Sequence, residues 1–378
     1  MKLNNKKIIY LQYSNPGAFP PLENSAWVLA EAGWKVKFVG TKALGTDSIQ
    51  IPSHQNIVVE LAPFCYPGIR QKIHFLFYSL RCLKEILLGR YDCVYVSDLF
   101  SCPAGWIASS LFGVRVLYHE HDTPDAPRTG LTRWLHWTRK KLAQSAELCI
   151  FPQIERAQSF SKKFSSSKIQ ICHNMPLRQR IVSRPHQPPA DEFRLWYHGS
   201  LVPTLLPMTV LDALAILPKS VTLHFAGYEI IGFPNFLKSF FSKAKSLGVQ
   251  SRVFYEGALS RIPLFDKARE SDLGLALFAR DFREPMVGAS NKPFDYMACG
   301  LPLLINDSKE WEKFFGPLGV AKSCNPESGE SIAEAVEELR VTPDKMLKMR
   351  EFGLKKISNE WNYESQFAPV VKLLESKP

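Results

Sequence analysis

Short apolar runs alternate with longer amphipathic ones through the first half of the chain. The runs KIIYLQ (7–12), WKVKFVG (34–40), NIVVELA (56–62), CVYVS (93–97), VRVLYH (114–119), LCIFP (148–152) and KIQIC (168–172) predict strands. Runs of this length, separated by stretches long enough for a helix, are the pattern of a parallel sheet wrapped by helices. After Cys172 the pattern breaks, and PLRQRIVSRPHQPP (176–189), rich in Pro and Arg, reads as an interdomain linker. Beyond it the alternation restarts with FRLWYHG (193–199), VTLHFAG (221–227), RVFYEG (252–257), DLGLALF (272–278), LPLLIN (301–306) and GVAKS (319–323).

The expected fold is therefore α/β: two consecutive doubly wound, Rossmann-like domains over 1–180 and 192–378, joined by a linker over 181–191. In such sheets ligands bind at the carboxyl ends of the strands, so two sheets facing each other would put the site in the cleft between them. From about Glu351 to Pro378 the chain reads as one or two helices carrying Trp361, Tyr363, Phe367, Val370, Val371 and Leu374. Such a terminal helix caps its own domain or packs back on the first, and both remain open at this point.

Composition narrows the class. With 46% hydrophobic and 22% charged residues over 378 positions, disorder and collagen-like repeats are excluded. No apolar run approaches the roughly 20 residues of a bilayer span, so a cytoplasmic protein is expected. The eight cysteines form no C-x-x-C pair and no zinc spacing, which favours reduced, buried thiols and no metal site. Net charge is +11, and it is uneven: residues 1–185 hold 24 Lys+Arg against 12 Asp+Glu, while the remainder hold 23 against 24. A basic first domain should face something anionic.

The densest candidate chemistry is GASNKPFDYMACGLP (288–302), directly before a buried strand. Ser290, Asn291 and Lys292 stand where a helix would begin and could hold a phosphate, with Asp295 one turn later suited to ribose hydroxyls. An ordinary cap with Lys292 and Asp295 in solvent fits the spacing equally well. This segment resembles the donor-site motif of the large group 1 family of retaining, nucleotide-sugar-dependent glycosyltransferases of GT-B architecture. Lesser features agree in order: Gly199-Ser200 after the first strand of the second half, Phe225-Ala226-Gly227, the strand ending at Gly257, and the run from Asp272. The resemblance implies that Asp295 binds the donor ribose and that Ser290, Asn291 and Lys292 bind the diphosphate, with Gly199 and Ser200 also among the donor-binding residues.

Two positions depart from that family. The acidic residue common eight positions before the helix acid is replaced by Val287, with Glu284 three residues earlier as the carboxylate that could reach in. The Arg and Lys that often follow the glycine of the first strand are missing from GSLVPTLLP (199–207). Metal-independent transfer needs positive charge on the departing diphosphate, a task left to Lys292, with Arg280 or Arg283 as candidates to assist.

In the first half, VRVLYH runs into Glu120, His121, Asp122 and Asp125, so with His119 two histidines and three carboxylates crowd one strand end. Such a group points to a site more than to core packing. The resemblance places a histidine of this loop against the donor sugar, matching His121 best and His119 second, with Asp122 on the acceptor side. The loop SNPGAFPPLEN (14–24) offers Gly17 for close backbone approach on the acceptor side, or is an ordinary strand-to-helix connection. It lacks G-x-G-x-x-G, and the chain has no G-x-x-x-x-G-K-[ST], which disfavours NAD, FAD and P-loop chemistry.

Two helices carry much of the basic excess. In the segment 69–88, Ile69, Ile73, Leu76, Leu80, Leu83 and Leu87 share one face; in 131–142, Leu131, Trp134, Leu135 and Leu142 make a core face and Arg133, Trp137 and Lys140 another. A tryptophan among cations suits a membrane interface, as it suits a solvated basic face. Nucleic acid is disfavoured because the charges are spread over several helices without a recognition signature. The expectation is a glycosyltransferase using a nucleotide-diphosphate sugar, UDP before GDP, and no cofactor or essential metal. Its acceptor would be a glycan, lipid-linked or part of a surface polysaccharide, at an anionic membrane surface. The alternatives are a same-fold epimerase or hydrolase, or a non-catalytic scaffold binding nucleotide sugar or polyanion.

Overall fold

The structure, a computed structural model, describes residues 6–165, 168–182, 191–230, 232–280 and 286–376. The chain divides into two compact units. The first comprises 1–43, 50–174 and 363–378, the second 44–49 and 175–362.

In the first unit the strands are β1 (Lys7–Gln12), β2 (Lys35–Thr41), β3 (Ile57–Ala62), β4 (Cys93–Val96), β5 (Arg115–His119), β6 (Leu148–Phe151) and β7 (Ile169–Ile171). Between them run α1 (Pro20–Glu31), α2 (Ile69–Gly89), α3 (Cys102–Leu111), α4 (Gly130–Ser145) and α5 (Ile154–Phe164). All pairings are parallel, in the order β3-β2-β1-β4-β5-β6-β7. The central strands are apolar at every position, Ile8 to Leu11 and Cys93 to Val96, because helices cover both faces of a parallel sheet.

The second unit repeats this order with β8 (Phe193–Ser200), β9 (Val221–Tyr228), β10 (Val253–Tyr255), β11 (Leu273–Ala276), β12 (Leu303–Asn306) and β13 (Ala321–Cys324), arranged β10-β9-β8-β11-β12-β13 and parallel throughout. Its helices are α6 (Thr209–Ile216), α7 (Phe236–Ser246), α8 (Arg261–Arg269), α9 (Lys292–Ala298), α10 (Lys309–Phe315), α11 (Gly329–Arg340) and α12 (Pro343–Asn359). The two doubly wound sheets expected from the apolar runs are thus both present. At the carboxyl ends of β8 and β9 the backbones pass so closely that a Cβ on Gly227 would stand 1.8 Å from the Gly199 carbonyl oxygen. Gly199 itself has φ +135°. Both positions require glycine.

The stretch expected as a linker begins as packed structure. Met175, just before it, packs in the core of the second unit, Leu177 is buried, Val182 N donates to Ala298 O at 3.0 Å, and Arg269 Nη2 donates to Arg180 O at 2.9 Å. These contacts hold the segment despite its polar composition; residues 183–190 lie outside the described ones.

The final segment divides between the units. Trp361 packs on Phe294 and Phe314 of the second, at 5.6 and 4.9 Å between ring centroids. Then α13 (Tyr363–Glu375) belongs to the first unit, burying Tyr363, Phe367, Val370 and Leu374 at helical spacing. Arg115 closes its end by donating to Leu373 O at 3.0 Å and Leu374 O at 3.2 Å, where unpaired carbonyls favour a cation. Because the Phe367 ring is fully buried there, Phe367→Ala should cost about 3–5 kcal/mol, read as a lowered midpoint in chemical unfolding of the first unit.

Candidate functional site

The carboxyl edge of the second sheet gathers most of the residues expected to hold a donor. Asn291 occupies the position before α9 without capping it, and the buried Ser290 Oγ has no hydrogen-bond partner among the described residues. Lys292 is buried, with its ammonium 5.2 Å from the ring centroids of both Tyr197 and Phe278. No carboxylate pairs with it among the described residues. A Cβ built on Gly199 would lie 3.2 Å from Lys292 Nζ, so the cation sits against the backbone at the end of β8. Burial holds the Lys292 ammonium down to a pKa of about 8, with Asp295 opposing weakly. Ser200 is half-buried, and its carbonyl accepts from Tyr197 Oη at 2.7 Å.

Asp295 is not in solvent. It is 1% exposed and takes Arg261 of α8 in a two-pronged pair, Nη1 to Oδ2 at 2.8 Å and Nη2 to Oδ1 at 3.0 Å. His198 Nε2 lies 3.3 Å from the same Oδ2. Since Trp196 Nε1 can only donate, and does so to His198 Nδ1 at 3.0 Å, the imidazole carries its proton on Nε2 and gives it to Asp295. Burial lowers the His198 pKa and works to raise that of Asp295; Arg261 and His198 together overcome it and leave the carboxyl below its ordinary value. An ionised carboxylate has about four acceptor positions, so among the described residues these three contacts leave one open.

In the first unit the strand end after β5 splits by the period of two. Tyr118 and Glu120 turn one way: Glu120 is buried against Arg139 of α4, Nε to Oε2 at 2.7 Å and Nη2 to Oε1 at 2.5 Å, and accepts from Tyr118 Oη at 2.6 Å. This carboxylate is a structural ion pair and does not belong to the cluster expected from the sequence. His119 and His121 turn the other way with their rings 5.2 Å apart. His119 is fully buried, its Nδ1 2.6 Å from Tyr95 Oη, and it is not among the residues that line the pocket around His121. Of the two histidines expected in the site, only His121 lines that pocket. Burial keeps both imidazoles neutral by lowering their pKa values.

His121 and Asp122 line a pocket of about 530 Å³ with Gln12, Phe19, Ser97, Asp98, Phe100 and Asp125. Gly17 is not on its wall: its N–H donates to Asn15 Oδ1 at 3.0 Å inside a short 3-10 turn, and the loop presents Phe19 instead. The Phe19 ring lies 5.0 Å from that of His121. A pocket rich in carboxylate, amide and imidazole groups with two phenyl rings is equipped to bind a polyhydroxylated molecule.

The family model described as "Glycosyltransferase Family 4" matches residues 22–175, and that described as "Glycosyl transferase-like" matches 218–372. The chain belongs to the group 1 glycosyltransferases. Solved structures agree in fold. Sucrose-phosphate synthase from Thermosynechococcus elongatus is 15% identical with a TM-score of 0.73, covering 98% of this chain and 99% of its own. Anabaena HepE in complex with UDP-glucose is 17% identical with a TM-score of 0.70, covering 98% and 100%. WaaG, a glycosyltransferase involved in lipopolysaccharide biosynthesis, is 15% identical with a TM-score of 0.70, covering 98% and 100%. No curated protein matches the chain in sequence. The two sheets are those of a GT-B glycosyltransferase.

Within this glycosyltransferase several groups went unnoticed in the sequence. Arg261 and His198 carry no local signal, since each matters only through Asp295, distant in the chain. Asp98 could have been found, as it follows the apolar run of β4 at a carboxyl end beside β1. Its oxygens accept from the Tyr13 and Ser101 amides, and burial raises its carboxyl pKa to about 6. Arg280 is exposed and pairs with Asp307 at 2.8 Å and with Asn325. Glu284 and Arg283 lie outside the described residues, and Val287 is buried.

Two outcomes follow for the glycosyltransferase. If Lys292 must be charged to meet a diphosphate, UDP affinity should hold below about pH 8 and fall about tenfold per unit above it, with Lys292→Met weak and flat across the range in calorimetric titration. Glu120→Ala strands the Arg139 guanidinium in the interior and should destabilise the fold by about 3–5 kcal/mol in denaturant titration.

Proposed function

We propose that this glycosyltransferase moves a sugar from a UDP-sugar to a hydroxyl of a glycan acceptor that is lipid-linked or part of a surface polysaccharide, at the cytoplasmic membrane face. The second unit holds the donor. Lys292, with Ser290, Asn291, Gly199 and Ser200, takes the diphosphate, and the open acceptor position of Asp295 takes a ribose hydroxyl. The observation that carries this reading is Lys292: a buried cation without a carboxylate partner among the described residues, placed at a strand carboxyl end beside the unpaired Ser290 Oγ. Burying an uncompensated charge is costly, and an anionic ligand removes that cost.

The pocket of the first unit holds a sugar, with His121 and Asp122 binding hydroxyls. His121, neutral through burial, can accept through one ring nitrogen and donate through the other. Retention of configuration and independence from metal follow from the family resemblance, with Lys292 as the cation that stabilises the leaving diphosphate in place of a divalent ion. UDP is favoured over GDP by the same resemblance.

Calorimetric titration with UDP, GDP and their sugar conjugates, without added metal, tests the donor assignment. UDP should bind at micromolar concentration, and Asp295→Ala and Lys292→Ala should each weaken it by about tenfold or more. Normal binding to Asp295→Ala would overturn the ribose assignment. Product analysis with the preferred donor separates transfer from epimerisation or hydrolysis, since only transfer places the sugar on an added acceptor.

A further inference from the structure

The long helix α2 is apolar on two opposite sides. Phe75, Tyr78, Cys82 and Ile86 are buried against the first sheet and α3. Ile69, Ile73, Leu76, Leu80 and Leu87 form a second row that falls within an arc of about 60° on the other side, with Phe77 beside it. All six of these outer side chains are between 53% and 77% exposed. An amphipathic helix needs one apolar side to pack; a second, continuous row left in water marks an interaction surface.

Charge says what covers it. Arg70, Lys72 and Lys84 flank the outer row, are exposed, and have no ion pair among the described residues. The acids nearby are already engaged, Glu60 with Lys37 and Arg81 and Glu85 with Lys37. A second copy of the chain docking on the same row would set these cations against themselves. An anionic lipid surface satisfies both features, the row entering the acyl boundary and the cations meeting headgroups. By contrast α4, whose Trp137 among cations also suits an interface, is less bare: Trp137 packs edge-on against Trp106 at 4.9 Å under Lys141. Trp134, expected in the core, is 44% exposed.

From this we infer that the outer face of α2 is a monotopic membrane-docking surface that seats in an anionic bilayer. No described helix is long and apolar enough to cross a membrane, so the contact is interfacial. The helix is also tied to the pocket. Tyr13 packs on Phe75 and Phe100 at 5.6 and 5.2 Å between centroids and bonds His74 Nδ1 through its hydroxyl at 2.8 Å, and Phe100 lines the pocket wall. A bilayer seated on α2 therefore lies one layer of side chains from the proposed acceptor pocket. That purpose rests on the glycosyltransferase reading; the docking itself is measured without donor or acceptor.

The test is co-sedimentation of the full chain with vesicles of equal parts phosphatidylcholine and phosphatidylglycerol, compared with phosphatidylcholine alone, at low and high salt. Binding to the anionic vesicles is expected, weakened by salt. It should fall about tenfold or more in the triple variant Ile73→Ser, Leu76→Ser, Leu80→Ser, and lose its salt dependence in Arg70→Glu, Lys84→Glu. Both variants should keep the wild-type melting temperature and UDP affinity, because the altered side chains are exposed and belong to the first unit, whereas the proposed donor residues belong to the second. Wild-type vesicle binding by the triple variant overturns the inference, as does no vesicle binding by the unaltered chain. A self-association in sedimentation velocity that the triple variant abolishes also overturns it, in favour of a second copy. Loss of UDP binding with vesicle binding intact would instead overturn the donor assignment and leave the docking surface standing.

Discussion

Parallel pairing on both sides of one central strand is the constraint on which the rest depends. In the first sheet β1 pairs with β2 and β4, in the second β8 pairs with β9 and β11, and the chain changes its direction of growth at these points. Parallel strands all end on one edge, and where the order reverses the connections leave to opposite faces, opening a crevice that no loop crosses. Gln12 and Ser97, 85 positions apart, meet there through a 2.5 Å hydrogen bond, and Asp98 follows on the same edge. At the corresponding place in the second sheet, Gly199 and Gly227 bring two backbones together and leave room for Lys292.

The buried ions differ in how they are compensated. Glu120 with Arg139, Asp272 with Arg350 and Asp295 with Arg261 are all paired inside the protein. The first two join a loop residue to a helix and the third joins α9 to α8, so removing one partner of any pair leaves a desolvated charge. Lys292 is the contrast: it lies between two aromatic rings, which compensate a cation only in part. Asp295 belongs to both classes, since its pair with Arg261 positions the carboxylate and one acceptor position remains.

The first unit, which carries the basic excess, combines a polar pocket with a bare apolar helix. These are not separate features. The Tyr13 ring and its hydroxyl join the inner side of α2 to the Phe100 wall of the pocket, and the inner row of α2 holds the helix firmly enough to present the outer row as a rigid surface.

The thirteen strands among the described residues were legible because a parallel strand buried on both faces must be apolar over a short run, a local property read without a partner. The segment 288–302 was legible in the same way, as the start of a helix before such a strand. The sequence could not say which members of a crowded stretch share a side. Glu120 left the histidine cluster for Arg139, and His119 is buried off the wall of the pocket that His121 lines, because alternation along β5 and partners far along the chain decide direction. Nor could it say which face of α2 is covered, since both rows have helical spacing and only the position of the sheet chooses between them. Local pattern determined the elements and their kind; long-range packing alone decided which polar groups are neutralised and which remain exposed to a ligand or a lipid surface, because burial is a property of neighbours that the sequence brings together only on folding.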